Sequence, residues 1–246
     1  MTAVILGATK GIGRAVARRL AARGDRLCLL GRDLGDLERS ARDLEVRGGF
    51  ASGAVSVAAC DLADPEGFAT AFETATALIG SIDLVVVTAA DFATQAQLEA
   101  DRDHLRRLLT INFSNTILFC DEARRRLLPR GGTLCVVSSV AGDRGRKPVI
   151  FYGATKAGLS RYLEGLDHKY RSQGLKVVCV KPGFVKTGMT SGLKPPPFAG
   201  EPDGVALDIV RAIDRGTPVI YTPSIWALVM LVIRWLPRSV MRQIEF

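Results

Sequence analysis

Short apolar runs alternate with amphipathic segments along most of the chain. The apolar runs are "AVIL" near the N-terminus and residues 26–31, 54–59, 82–88, 133–139, 176–182 and 217–222. Their near-continuous apolar character is typical of strands that are covered on both faces. The segments between them show helical periodicity, as in Ile12, Val16 and Leu20. This alternation predicts an α/β fold: a doubly wound parallel sheet of about seven strands, with helices on both faces.

Two segments interrupt this pattern. The stretch from Thr190 to Pro202, "TSGLKPPPFAGEP", is rich in proline and glycine and predicts an irregular loop, a candidate lid. The segment from Ser224 to Phe246 begins with an apolar run of nine residues, Ile225 to Ile233. A membrane-spanning helix needs about 20 such residues, so a span is not expected. We interpret residues 1–223 as a single domain and residues 224–246 as a C-terminal tail.

The tail combines apolar residues with regularly spaced cations. Pro237 interrupts it, and Arg234, Arg238 and Arg242 recur at intervals of four. Such a helix pair is typical of segments that lie in a membrane interface, with arginines on anionic head groups. A helix that covers the substrate pocket or forms a subunit interface would show a similar pattern. Both interpretations stay open at this point.

Composition restricts the function classes. The chain has 246 residues, of which 48% are hydrophobic and 24% charged, which excludes a disordered or fibrous protein. The formal charge of +8 suits an anionic partner, but scattered basic residues without interleaved aromatics predict no nucleic-acid binding. The spacing of the five cysteines predicts buried thiols, with neither a disulfide framework nor a metal site. The N-terminus begins with a strand-like run, so we expect no signal peptide and a cytoplasmic location.

A glycine-rich turn, "GATKGIG", follows the first predicted strand and leads into a helix. Gly7, Gly11 and Gly13 allow the backbone to approach a pyrophosphate, and the start of the helix offers free N–H groups. Arg32 ends the second strand, where a nucleotide-binding sheet contacts the adenosine ribose. A guanidinium there pairs with a 2'-phosphate, and Lys10 adds a second cation. The charges favour NADP(H), with NAD(H) as the alternative.

Three further residues predict the chemistry. Ser139 ends the fifth strand, and Tyr152 follows it by thirteen residues; Tyr152 and Lys156 are four apart on a predicted helix and share a face. A phenol has a pKa of about 10, and a neighbouring ammonium together with an oxidised nicotinamide would lower that pKa. Tyr152 could then exchange a proton with a substrate oxygen that Ser139 holds, completing the reduction of a ketone.

In this order, these motifs resemble the short-chain dehydrogenase/reductase family over nearly the whole chain. The resemblance implies a Rossmann-type fold, and it adds "TINFSN" with Asn112, Asp61-Leu62 and "PGFVKT" to the site. It implies the catalytic residues Asn112, Ser139, Tyr152 and Lys156. The cofactor-binding residues that follow from it and from the charges are Gly7, Thr9, Lys10, Gly11, Ile12, Gly13, Arg32, Asp61, Leu62, Ala89, Tyr152, Lys156, Pro182, Gly183, Val185 and Thr187.

The family also suggests specific roles. Asp61 and Leu62 would flank the adenine, Lys156 would bind the nicotinamide ribose, and Asn112 would hold a water molecule that relays protons through Lys156. Val185 and Thr187 would contact the carboxamide and phosphate end. Two departures from the family pattern concern the support of the cofactor site. The usual N-N-A-G is Val87-Thr88-Ala89-Ala90 here, and Leu6 replaces a threonine before the glycine turn.

The functional prediction is an NADPH-dependent carbonyl reductase. The alternatives are a 3-oxoacyl thioester or other small-ketone reductase and, in another class, an inactive NADP-binding sensor. The loop "GDRGRKP" places Arg144, Arg146 and Lys147 near the expected mouth of the site, either in solvent or against an anion.

A narrower resemblance concerns this loop and the tail. "SSVAGDRGRK" and "RWLPRSVMRQI" resemble the reductases of polyprenyl-phosphate-linked 2-keto-pentose, the decaprenylphosphoryl-2-keto-erythro-pentose reductases. It implies a lipid-linked ketone substrate, a flavin-dependent oxidase as a partner and peripheral contact with the inner face of the membrane. The wider family implies a homodimer or homotetramer.

Overall fold

The computed structural model describes residues 1–51 and 53–244. The last two residues of the predicted tail, Glu245 and Phe246, therefore lie outside the described part of the chain.

Seven parallel strands form one sheet in the order β3-β2-β1-β4-β5-β6-β7. The strands are β1 (Thr2–Leu6), β2 (Arg26–Gly31), β3 (Val55–Ala59), β4 (Leu84–Val87), β5 (Gly132–Val137), β6 (Leu175–Pro182) and β7 (Val219–Thr222). Each predicted apolar run matches one of them to within two residues at either end. The order changes direction at β1, so β1 and β4 lie side by side at the centre, which is where ligands bind in such sheets.

Helices cover both faces of the sheet, as predicted. They are α1 (Gly11–Ala22), α2 (Leu34–Gly48), α3 (Phe68–Ile79), α4 (Gln95–Ala100), α5 (Arg102–Leu109), α6 (Thr116–Leu127), α7 (Ile150–Tyr170), α8 (Pro202–Arg215), α9 (Ile225–Trp235) and α10 (Arg238–Met241). Successive residues of a strand enter opposite cores. In β1, Val4 packs with α3, α6 and α7, whereas Ile5 packs with α1, α2 and α8. Burial on both faces explains why the strands are apolar throughout.

The irregular segments agree with the sequence pattern. Residues 191–201, all within the described part, contain neither a helix nor a strand, and Val185 and Gly200 form an isolated bridge at the base of this lid. In the tail, Pro237 separates α9 from α10. Within residues 1–51 and 53–244, no helix combines the length and the apolar character that crossing a membrane requires.

All five cysteines are buried and unpaired, as their spacing predicted. Burial raises the pKa of the Cys28, Cys60 and Cys120 thiols to about 12, because a thiolate is poorly solvated inside a protein. These cysteines act as small core residues rather than as reactive groups.

Candidate active site

The glycine turn after β1 is packed too closely for side chains. Gly7 has a φ of +94°, and a Cβ on Gly13 would lie 2.2 Å from the carbonyl oxygen of Gly7. That oxygen belongs to the backbone, so it could move only if the turn itself were distorted. The turn therefore requires glycine at these positions, and it brings the start of α1 close to the carboxyl end of β1, as expected for a pyrophosphate cradle.

Thr88, which departs from the family pattern, supports this turn. Its hydroxyl lies 3.1 Å from the carbonyl oxygens of both Leu6 and Gly7, within reach of a hydrogen bond shared between them. The adjacent residue Ala89 also packs against the turn, since a Cβ on Gly7 would lie 2.7 Å from the backbone nitrogen of Ala89. Thr88 can therefore hydrogen-bond the backbone of the turn, a role that the sequence did not reveal.

The loop after β6 comes into contact with the glycine turn from the other side. A Cβ on Gly11 would lie 3.3 Å from the methyl carbon of Thr187. The Thr190 hydroxyl donates to the carbonyl oxygen of Val185 at 2.7 Å and accepts from the backbone nitrogen of Thr187 at 3.1 Å, which fixes this loop. The structure thereby brings together Gly11 and Thr187, which are far apart in the sequence, and shows Thr190 as a support that sequence analysis missed.

At the proposed adenosine end, a buried hydrogen bond holds the loop after β3. The side-chain amide of Asn115 donates to the carbonyl oxygen of Leu62 at 2.6 Å, while Asp61 is exposed at the surface. Leu62 itself is buried. Asn115 was not predicted as a site residue, although it ends the same "TINFSN" motif that carries Asn112.

The cations predicted to bind a 2'-phosphate lie at the surface. Arg32 is exposed directly after β2, and Lys10 is 84% exposed at the start of α1. Asp33 is the nearest carboxylate in the sequence, but it caps α2 by accepting a hydrogen bond from the backbone nitrogen of Asp36 at 2.9 Å. Lys10 Nζ lies 3.8 Å from a carboxylate oxygen of Asp36, whereas Arg32 is exposed directly after β2. A guanidinium in this position fits a phosphorylated ribose.

The three residues that predict proton transfer lie together. The hydroxyl of Tyr152 is hydrogen-bonded to Ser139, and the Lys156 Nζ lies 5.6 Å from the centre of the Tyr152 ring. Lys156 is 2% exposed and donates to the carbonyl oxygen of Val137 at 3.1 Å. The helix α7 holds Tyr152 and Lys156 on one face as their spacing predicted, and the end of β5 presents Ser139 to them.

The pKa values correct one part of the sequence interpretation. Burial raises the pKa of Tyr152 to about 12, and the hydrogen bond to Ser139 only partly opposes this. Burial also lowers the pKa of Lys156 from 10.5 to about 8. The expectation that the neighbouring lysine lowers the Tyr152 pKa is therefore wrong for the protein groups alone. The cationic nicotinamide in the same prediction is the remaining source of positive charge.

Asn112 lies in a short π-helical segment, Thr110–Asn115, that follows α5. Its side-chain amide donates to the carbonyl oxygen of Asp91 and accepts from the backbone nitrogen of Asp91, both at 2.7 Å. The next residue, Phe92, meets the Tyr152 ring edge-on, with 5.2 Å between the ring centres. The side chain of Asn112 thus positions the loop that packs against Tyr152, while its predicted water-relay role stays a prediction.

The loop after Ser139 contacts both α7 and the tail. A Cβ on Gly142 would lie 2.6 Å from the backbone of Lys156. The buried carboxylate of Asp143 accepts from Lys181 Nζ at 2.6 Å and from the Tyr221 hydroxyl at 2.7 Å. Arg144, predicted at the mouth of the site, donates to the carbonyl oxygen of Leu236 at 2.8 Å. Arg144 therefore binds the end of α9.

Comparison with known proteins identifies the family. The family described as short chain dehydrogenase matches residues 1–196. Carbonyl reductase family member 4 of Danio rerio is 31% identical over 78% of this chain and 78% of its own length. An uncharacterized oxidoreductase of Mycobacterium tuberculosis is 32% identical over 98% of this chain and 95% of its own length.

Among solved structures, an actinorhodin polyketide ketoreductase with NADPH has the same fold. Its TM-score is 0.80 at 20% identity, and the match covers 90% of this chain and 95% of that one. The chain belongs to the short chain dehydrogenase family and is an oxidoreductase of alcohol and carbonyl groups.

Proposed function

We propose that this short chain dehydrogenase is an NADPH-dependent reductase of a ketone that is lipid-linked or otherwise amphipathic. The observation that carries the proposal is the contact of Ser139, Tyr152 and Lys156 at the end of the sheet next to the glycine turn. When bound, NADPH supplies the hydride. Tyr152 gives the proton to the carbonyl oxygen, Ser139 orients that oxygen, and Lys156 holds positive charge beneath the phenol.

The preference for NADPH rests on charge. Arg32 and Lys10 are exposed at the adenosine end, and Asp33 is committed to capping α2. A guanidinium pairs well with the 2'-phosphate that distinguishes NADPH from NADH. NAD(H) remains the alternative cofactor.

The substrate proposal rests on the surroundings of the catalytic loop. Val140, next to Ser139, packs in an apolar cluster with Trp226, Met230 and Ile233 of α9. This cluster places an apolar helix directly against the loop that follows Ser139, and we infer from it a substrate with a hydrocarbon portion. The narrower resemblance to polyprenyl-phosphate keto-sugar reductases suggests one such ketone, which a flavin-dependent oxidase would supply. A 3-oxoacyl thioester or another small ketone is the alternative, favoured by the carbonyl reductase and ketoreductase relatives.

The remaining parts of the proposal concern organisation. We regard residues 1–223 as the catalytic domain and residues 224–246 as a tail that completes the site and contacts a membrane surface. A cytoplasmic location, at the inner face of the membrane, and a homodimer or homotetramer accompany this view. A sensor without turnover is the alternative from another class, but it would have no use for Ser139, Tyr152 and Lys156 in contact.

The experiment is a screen of NADPH oxidation over soluble sugars, acyl thioesters, steroids and prenyl-phosphate sugars. Tyr152→Phe should abolish oxidation with every active ketone while NADPH still binds, because only the proton donor is lost. Tyr162→Phe is the matched control, since Tyr162 is a partly buried tyrosine on the same helix whose hydroxyl donates to the carbonyl oxygen of Ile117 at 3.4 Å. Turnover by Tyr152→Phe at the wild-type rate would refute the assigned acid, and no oxidation of any ketone by the wild type would favour the sensor.

A further inference from the structure

Helix α9 has apolar side chains on two opposite faces. Trp226, Met230 and Ile233 are at most 7% exposed and pack against Val140. The opposite face carries four large apolar side chains at positions i, i+3, i+4 and i+7, the spacing of one helical stripe. They are Leu228 at 59% exposure, Leu231 at 53%, Val232 at 56% and Trp235 at 81%. We call these four residues the outer stripe.

Only cations accompany the outer stripe in the sequence. Arg234, Arg238 and Arg242 are exposed, and residues 225–243 contain no aspartate or glutamate. Cations without carboxylates suit a surface that is itself anionic. An exposed tryptophan beside leucines and arginines suits the boundary between acyl chains and anionic head groups.

We propose that the outer stripe docks the protein on an anionic phospholipid surface. The helix has 11 residues and cannot cross a bilayer, so it would lie parallel to the surface, with the stripe among the acyl chains and the arginines on phosphate groups. This inference deepens the proposed function, because a lipid-linked ketone would be found at the same surface, and it rests on that function for its biological sense.

The inner face of the same helix connects the docking surface to the active site. The indole nitrogen of Trp226 donates to the carbonyl oxygen of Phe198 in the lid at 3.2 Å. The Trp226 ring also covers Gly183, where an added Cβ would lie 2.1 Å from ring atoms. Phe198 has a φ of +68° and a side chain that is 57% exposed. The lid is thus hydrogen-bonded to the helix that would rest on the lipid, so the lid would also lie near the membrane surface.

Binding to vesicles tests the proposal on the full chain. The wild type should bind vesicles of phosphatidylcholine with phosphatidylglycerol at least about tenfold more tightly than phosphatidylcholine alone. The variant Leu231→Glu/Val232→Glu should lose at least about tenfold of that affinity, because two carboxylates enter the stripe. The matched control is Val46→Glu/Leu78→Glu, which adds the same charge at exposed apolar residues of α2 and α3 and should retain most of the binding.

Tryptophan fluorescence gives a second measurement that needs no charged variant. The chain has two tryptophans, of which Trp226 is 7% and Trp235 81% exposed. Anionic vesicles should shift the emission of the wild type to the blue, and Trp235→Phe should remove the shift. Three results would overturn the proposal. The first is no blue shift, and the second is an equal loss of binding in the stripe and control variants. The third is a wild type that does not bind vesicles together with a stripe variant whose oligomeric state has changed.

NADPH oxidation of a soluble ketone by the same preparations separates the two proposals. A stripe variant that keeps this oxidation but loses vesicle binding supports the docking surface with the reductase intact. If the wild type binds vesicles but does not oxidise NADPH with any of the ketones tested, the proposed function is refuted and the docking surface stands.

Discussion

Replacement of Lys156 by methionine should stabilise the protein while it abolishes activity. The Lys156 side chain is 2% exposed, and burial lowers its pKa from 10.5 to about 8. At about 1.4 kcal/mol for each pKa unit, holding the protonated amine in this site lowers the free energy of unfolding by about 3 kcal/mol at pH 7. Methionine has a similar length without the charge.

The same variant also loses a hydrogen bond. Lys156 donates to the carbonyl oxygen of Val137 at 3.1 Å, and an unpaired buried acceptor costs about 1 kcal/mol or more. We therefore expect Lys156→Met to be more stable than the wild type by about 2 kcal/mol at pH 7. For a chain of this size the midpoint of thermal unfolding would rise by about 4–8 °C.

The pH dependence distinguishes this cause from better packing. Because the folded pKa is depressed, the unfolded chain binds more protons than the folded one between about pH 8 and 10.5, so the wild type gains stability as pH rises. The cost of the charge falls from about 3 kcal/mol at pH 7 to about 2 at pH 9 and about 1 at pH 10. Relative to the variant, the wild type should recover about 2 kcal/mol across this range.

Urea unfolding at pH 7, 9 and 10 measures this difference directly. Lys194→Met, at an exposed position in the lid, is the control and should change the unfolding free energy by less than about 0.5 kcal/mol. A stability difference between wild type and Lys156→Met that stays constant from pH 7 to 10 would contradict a desolvated lysine with a pKa near 8. Burial of the protonated Lys156 would then not lower the free energy of unfolding.

Three other substitutions test separate parts of the site. Asp143→Ala should lower the free energy of unfolding, measured in urea, by about 3 kcal/mol, because it leaves the ammonium of Lys181, 14% exposed, without its carboxylate. Adding Lys181→Met should restore about half of this loss, because the unpaired ammonium is then removed. Arg32→Ala should reduce the preference for NADPH over NADH, as a ratio of kcat/KM, by about 10- to 100-fold, since a charge-assisted bond to phosphate is lost; an unchanged ratio would reject Arg32 as its partner. Gly13→Ala should weaken NADPH binding, measured by fluorescence titration, by at least about tenfold. Adding Thr88→Ala should not restore binding, because the backbone oxygen of Gly7 is still 2.2 Å from the new Cβ.

Periodicity and chain order were sufficient to predict the sheet and the proximity of Tyr152 and Lys156 on one helix. Each strand is buried on both faces, so its apolar run is visible without knowledge of its neighbours. Tyr152 and Lys156 share one helix, and their relation follows from a spacing of four residues. Such local relations are encoded within a few residues of sequence, which is why the structure agrees with them.

Contacts between distant segments could not be predicted in the same way. The support of the glycine turn by Thr88 joins residues about 80 apart, and the bond from Arg144 to Leu236 joins residues 92 apart. The raised pKa that Tyr152 has among the protein groups alone was missed for a related reason. The charge of a neighbour can be read from spacing, whereas desolvation depends on how many segments enclose the phenol, and here burial is the larger effect.

From the position of the tail we infer a part in catalysis as well as in the proposed docking. Ser139 orients the substrate oxygen in our proposal, and five residues later Arg144 binds the end of α9. Between them, Val140 packs on Trp226, and Asp143 joins β6 to β7 through Lys181 and Tyr221. A shift of α9 would therefore displace the loop that holds Ser139. A lipid surface that holds the outer stripe would stabilise the same arrangement, so docking and catalysis should favour one position of the helix.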